Sequence, residues 1–92
     1  ALAIKAKTDE DYYNLARLHY YKGDYVSAES ELKDSASKGF TTAYYYLGRI
    51  YQSDKDYDQA INMFEQYLAD EINSKSATAY NQLGVCYMEK EN

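Results

Sequence analysis

The sequence predicts an all-α chain of stacked helical units, and three observations lead there. The segment Tyr44-Tyr45-Tyr46-Leu47-Gly48-Arg49-Ile50-Tyr51 recurs at Tyr80-Asn81-Gln82-Leu83-Gly84-Val85-Cys86-Tyr87, and in weaker form at Tyr12-Tyr13-Asn14-Leu15-Ala16-Arg17-Leu18-His19. The landmark residues Leu15, Leu47 and Leu83 stand 32 and 36 residues apart, around a mean period of 34. The chain holds no proline to interrupt a helix, and no strand-like alternation of apolar and polar residues competes. A repeat of this length means units that bury their faces on one another and present a shared surface.

The elements follow in order. Residues 1–6 (Ala1-Leu2-Ala3-Ile4-Lys5 and Ala6) read as the closing turn of a preceding helix, so the chain is expected to be a piece of a longer one. The first helix is expected over 8–22, where Asp9-Glu10-Asp11 satisfies the positive end of the helix dipole. Its apolar face holds Tyr12, Leu15, Ala16 and His19, and Lys22-Gly23-Asp24 turns the chain. A second helix over 25–38 places Tyr25, Ala28 and Leu32 on one stripe, and Gly39 follows as its C-cap. The third, over 41–53, has Tyr44, Leu47, Ile50 and Tyr51 at offsets that share a face. Ser53-Asp54-Lys55-Asp56 repeats the turn, and a fourth helix over 57–71 repeats the stripe with Tyr57, Ala60, Ile61 and Phe64.

Four extra residues lie between Tyr67 and Ser76, as an added helical turn or a longer loop. A fifth helix then spans 75–90, and its face Tyr80, Leu83 and Tyr87 is expected to pack backward while the other flank stays bare. Glycine inside a helix costs ~1 kcal/mol relative to alanine. Gly48 and Gly84, with Ala16 in the first copy, are therefore expected where another helix passes too close for a larger side chain. Ala28 and Ala60 are the small partners expected on that second helix.

These residues resemble the tetratricopeptide repeat, whose aromatic-x2-Leu-Gly-x2-Tyr signature followed by Ala-x3-Phe is met by Tyr44, Leu47, Gly48, Tyr51, Ala60 and Phe64. The last copy meets the first-helix half through Tyr80, Leu83, Gly84 and Tyr87. The first copy has Tyr12, Leu15 and Ala28 but Ala16 for Gly, His19 for Tyr and Leu32 for Phe. Tyrosine stands throughout for the usual tryptophan. Ala36-x2-Gly39-x3-Ala43-x3-Leu47-Gly48-x2-Tyr51 is similar to a Sel1-like repeat junction. The resemblance implies a right-handed superhelix of antiparallel helix pairs: repeat 1 at 9–40, repeat 2 at 41–74 and the first helix of repeat 3 at 75–92. It also implies that the first helices line a concave groove.

Composition excludes other classes. With 46% hydrophobic and 27% charged residues the chain is ordinary for a soluble domain, and its net charge of −5 argues against general nucleic-acid binding. No apolar run approaches the ~18 residues of a membrane span, so no membrane partner is expected and a soluble, cytoplasmic location is favoured. The single Cys86 allows no internal disulfide. There is no glycine-rich phosphate loop, no Cys/His set for a metal and no hydroxyl beside an evident base, so neither enzyme activity nor a cofactor is expected. His19 stands where later copies have Tyr51 and Tyr87, which gives it a packing or hydrogen-bonding role.

The chain contains 13 tyrosines, and the repeat sorts them. Tyr12, Tyr44, Tyr80, Tyr51, Tyr87, Tyr25 and Tyr57 fall on signature positions and are structural, each burial being worth roughly 1.5–3 kcal/mol. Tyr13, Tyr20, Tyr21, Tyr45 and Tyr46 do not repeat the signature and, by the resemblance, face the groove. Arg17 and Arg49 sit at one equivalent site, four residues after Tyr13 and Tyr45, with Gln52 further along the same helix. In the last unit the corresponding surface holds Asn81, Val85 and Met88. Exposed tyrosine and arginine make protein-binding hot spots; the alternative is that the two stack on each other as a solvated face. The expected function is thus a non-enzymatic scaffold binding a peptide or partner protein, and the alternative is a structural segment self-associating through its last helix.

Overall fold

The computed structural model describes residues 8–91. The expected helical end at 1–6 lies outside them. Five helices follow one another: α1 (Asp9–Tyr21), α2 (Tyr25–Ser37), α3 (Thr42–Ser53), α4 (Tyr57–Ala69) and α5 (Ala77–Glu91). Each packs on its chain neighbour, and α1 also touches α3, giving an elongated body of 43 × 27 × 18 Å. Among the described residues the fold is all-α, consecutive helix pairs packed together, consistent with a tetratricopeptide-like helical repeat.

Local chemistry sets the helix ends. The Thr8 hydroxyl caps α1 by accepting from the Asp11 N–H at 3.1 Å, ahead of an acidic first turn. The turn that closes α1 recurs bond for bond after α3. Asp24 N donates to His19 O at 2.9 Å and Gly23 N to Tyr20 O at 3.1 Å; Asp56 N donates to Tyr51 O at 2.9 Å and Lys55 N to Gln52 O at 3.1 Å. Both are Schellman closures, which need a left-handed residue after the cap. Gly23 supplies it at φ 85°, whereas in the second copy Lys55 adopts φ 63° despite its Cβ. Asp24 and Asp56 then cap α2 and α4. Gly39, at φ 100°, closes α2 in the same way.

The core forms where the small and large landmarks meet. Ala16, Ala28, Leu32, Ala43, Leu47 and Ile50 are buried between α1, α2 and α3, and Ala60, Ile61, Phe64 and Cys86 between α4 and its neighbours. Gly48 is where the packing is tightest: a Cβ built on it would lie 2.7–2.9 Å from the Phe64 ring. The missing side chain makes room for an aromatic ring rather than for a crossing backbone.

Two expectations about the last unit are corrected, and an open alternative is decided. Gly84 has nothing within 4 Å of a built Cβ, so it is no crossing point. Of the face expected to pack backward Leu83 does so, but Tyr80 and Tyr87 stand 54% and 48% exposed; Ala79 and Cys86 are buried in their place. On α3 the Phe64 ring of α4 fills the space at Gly48, and among the described residues no helix follows α5 to do so at Gly84. Tyr51 is held from α2 as well, by its hydrogen bond to Glu29, whose counterpart 32 residues on is the apolar Ile61. The four extra residues form a loop and not a helical turn, since α4 ends at Ala69 and α5 begins at Ala77. Asp70 tethers that loop: Thr41 Oγ1 donates to its carboxylate at 2.6 Å, and Asn73 Nδ2 donates to Thr41 Oγ1 at 3.2 Å.

Candidate functional site

The non-signature tyrosines meet where α1 and α3 touch. Tyr20 and Tyr46 lie edge to face with ring centroids 5.0 Å apart, Tyr21 flanks Tyr46 at 5.9 Å, and the Tyr21 and Tyr46 hydroxyls are 3.1 Å apart. Tyr45 continues the row, 5.8 Å from Tyr46, and then leans on Phe64 and Tyr67 of α4 at 5.7 and 5.5 Å. Such edge-on pairs set the positive rim of one ring against the negative face of the next. Tyr13 sits apart, stacked on Phe40 at 5.2 Å and 12°.

The two arginines are woven into this row. The Arg17 guanidinium carbon is 5.7 Å from the Tyr13 ring centre and 5.9 Å from that of Tyr46, so the stacking that belongs to the alternative reading does occur. Arg49 Nη1 donates to the Tyr45 hydroxyl at 3.3 Å. Among the described residues neither arginine has a carboxylate within 4.0 Å, although four lysine–carboxylate ion pairs form elsewhere on the surface. Arg17 Nε is buried without an acceptor. Each guanidinium has more N–H groups than its tyrosine partners use, and stacking occupies only the flat face of the group.

Electrostatics match the geometry. Burial, and then the hydrogen bond shared with the Tyr21 hydroxyl, pushes the Tyr46 phenol up to about 12, against the pull of Arg17. Burial also raises Tyr13 and Tyr20. The Tyr46 hydroxyl holds Arg17 above its ordinary value; for Arg49 burial opposes the charge, and the Tyr45 hydrogen bond together with the nearby Tyr20, Tyr45 and Tyr25 hydroxyls outweighs it. Both arginines are permanent cations, and Tyr13, Tyr20 and Tyr46 beside them are held in the protonated form.

The α3–α5 crossing repeats the α1–α3 crossing in a different chemistry. Tyr20 meets Tyr46 in the first, and the residues 32 and 36 positions on, Gln52 and Gln82, meet in the second, with Gln52 Nε2 donating to Gln82 Oε1 at 2.9 Å. One contact thus recurs at the period of the leucines and joins α1, α3 and α5 into one surface. On α5 that surface offers Asn81, exposed, with Val85 at 43% and Met88 at 69% exposure.

Sequence reasoning missed Phe40, Tyr67 and Gln82. Phe40 lies in the turn after Gly39 and its counterpart 36 residues on is Ser76, so no repeat marks it. Gln82 was recoverable, since it occupies the register of Tyr46. Elsewhere, His19 Nδ1 is hydrogen-bonded to the Glu31 carboxylate, and Tyr51 donates to Glu29 at 3.1 Å. Cys86 is fully buried and burial raises its thiol, which makes it a packed hydrophobe and a poor nucleophile. Among the described residues no His, Cys, Asp or Glu cluster is arranged to hold a metal, and no helix is long and apolar enough to cross a membrane.

Compared with curated proteins, the chain matches none. Residues 42–71, which span the α3–α4 pair and about a third of the chain, match the tetratricopeptide repeat family, whose repeats generally mediate protein–protein interaction as non-enzymatic scaffolds.

Proposed function

We propose that the surface running across α1, α3 and α5 is the concave groove of a right-handed superhelix and that it binds a peptide segment of a partner protein. In this reading the chain comprises repeat 1 (9–40), repeat 2 (41–74) and the first helix of repeat 3 (75–92), with the small residues Ala36 and Ala43 forming a Sel1-like junction between the first two. No step of chemistry is involved, and binding is non-covalent. One observation supports the reading above the rest: Arg17 and Arg49 stand at equivalent sites of a contiguous tyrosine row with no carboxylate partner among the described residues. A solvated surface with no ligand would gain by pairing those charges with some of the 15 acidic residues in the chain.

The test is selection of a peptide display library on the wild-type chain and on the Arg17→Glu/Arg49→Glu double variant. Wild type is expected to enrich acidic peptides. The double variant should lose roughly 2 kcal/mol or more on each, about thirty-fold in affinity, as for paired hot spots. Equal capture by the two proteins refutes the groove.

A second reading is favoured by a separate observation, the exposed face of α5 with Tyr80, Tyr87 and Met88 around the open Gly84. That face supports self-association of the chain. Light scattering that shows a strict monomer at high concentration removes this reading and leaves the groove untouched.

A further inference from the structure

The surface changes character along its length in a regular way. Position by position, Arg17, Arg49 and Val85 share one register of the three helices, and Tyr20, Gln52 and Met88 share the next. Travelling from α1 to α5, a ligand therefore meets a cation, a second cation, and then an exposed apolar pair. Between the second and the third stands the Gln52–Gln82 hydrogen bond. It uses one Gln52 N–H and one lone pair of Gln82 Oε1, which leaves Gln52 Oε1 free to accept and Gln82 Nε2 free to donate. An acceptor beside a donor is what a main-chain amide requires.

Distances narrow the ligand further. Helices in contact lie roughly 8–10 Å apart axis to axis, so equivalent positions on α1, α3 and α5 are separated by about 10 Å per step. A strand fits badly, because its side chains alternate faces every residue. A polyproline II segment fits well: three residues make one turn and advance about 9.3 Å, so residues i, i+3 and i+6 point the same way at the step of the helices. Its backbone has no internal hydrogen bonds, and its amides are open to the glutamine pair. Aromatic-lined grooves suit such a backbone because it arrives already ordered.

Resting on the groove reading, we propose that the ligand is an extended polyproline II segment with acidic side chains at i and i+3 and an apolar side chain at i+6. The acids meet Arg17 and Arg49, the apolar residue meets Val85 and Met88, and the intervening amides meet Gln52 and Gln82. Charge complementarity selects this occupant over a second copy of the chain, which carries a net charge of −5 and whose uncovered α5 face is neutral from Ala77 to Met88.

The experiment uses fluorescein-labelled synthetic peptides of the pattern Glu-Pro-Ala-Glu-Pro-Ala-Leu, whose alanines keep a backbone N–H between the anchors, made in both chain directions, and anisotropy on the 92-residue chain. Controls place the glutamates two residues apart, replace them by lysine, or move the leucine between them. One direction of the parent peptide is expected to bind about tenfold tighter than each control, the difference one charge-assisted hydrogen bond makes. Arg17→Gln should erase the preference for the first glutamate, and Val85→Asp the preference for leucine alone, with helicity checked by circular dichroism. Equal binding by all spacings overturns the proposal while the groove survives, provided the Arg17→Glu/Arg49→Glu variant still loses library peptides. If that variant loses nothing, both fall together.

Discussion

Gly48 and Gly84 occupy one position of the repeated helix, 36 residues apart, yet alanine should have opposite effects at the two. At Gly48 the new methyl meets the Phe64 ring at 2.7–2.9 Å, and Phe64 is fully buried with nowhere to swing. Overpacking of this kind costs about 1–3 kcal/mol, and the gain in helix propensity returns up to ~1 kcal/mol, so Gly48→Ala should destabilise by about 1 kcal/mol. At Gly84 the methyl meets nothing within 4 Å, only the propensity remains, and Gly84→Ala should stabilise by up to ~1 kcal/mol. The separation of about 2 kcal/mol corresponds to roughly 8–16 °C in melting temperature for a domain of this size. Urea denaturation followed by far-UV circular dichroism measures both. Equal and destabilising effects would mean that Gly84 also lies under a neighbour, and the account of an uncovered α5 face would be wrong. A Gly48→Ala that stabilises would show that the Phe64 contact yields, and the reason given for glycine there would fail.

Two further outcomes are expected. Lys55 holds the left-handed turn that Gly23 holds in the first copy; such a conformation costs an ordinary residue about 1–2 kcal/mol, part of which glycine forfeits in unfolded-chain entropy. Lys55→Gly should therefore raise stability by ~0.5–1 kcal/mol in the same denaturation assay, and a loss would contradict the strain. Because burial lifts Tyr13, Tyr20 and Tyr46 above the usual phenol value of 10.0, the folded chain binds more protons than the unfolded one in alkali. That contribution to stability is whole below pH 10 and is lost as pH rises through about 12, so phenolate absorbance should show a late group of tyrosines that ionises together with the loss of helicity. A single step for all 13 tyrosines near their ordinary value, with helices intact, would contradict it.

Much of this was legible because helices announce themselves by period. Leu15, Leu47 and Leu83, the alanines 13 residues after the first two, and the paired turns at Gly23 and Lys55 fixed five helices whose ends fall within two residues of those expected. What the pattern conveys is the face a helix has prepared, and it says nothing of whether a neighbour is there to use it. For that reason Gly84 reads as a crossing point and is not. Polar tertiary contacts were equally silent. The Thr41–Asp70 and His19–Glu31 bonds join residues 29 and 12 positions apart with no counterpart in the other copy. On the candidate surface, the equivalence of Arg17 and Arg49 was visible in the sequence, whereas the Tyr20–Tyr46 and Gln52–Gln82 contacts needed the register between helices. Tyr13 and Tyr45 were expected in the groove, and each spends much of its ring on Phe40 or on Phe64 and Tyr67.

Each helix here rests mainly on the one before and the one after it in the chain. Bringing such partners together closes only short stretches of backbone, so the entropic toll of assembly is met in small instalments and folding should be fast. A polypeptide of this design can begin to organise as soon as its leading hairpin has left the ribosome, with no need to wait for its tail.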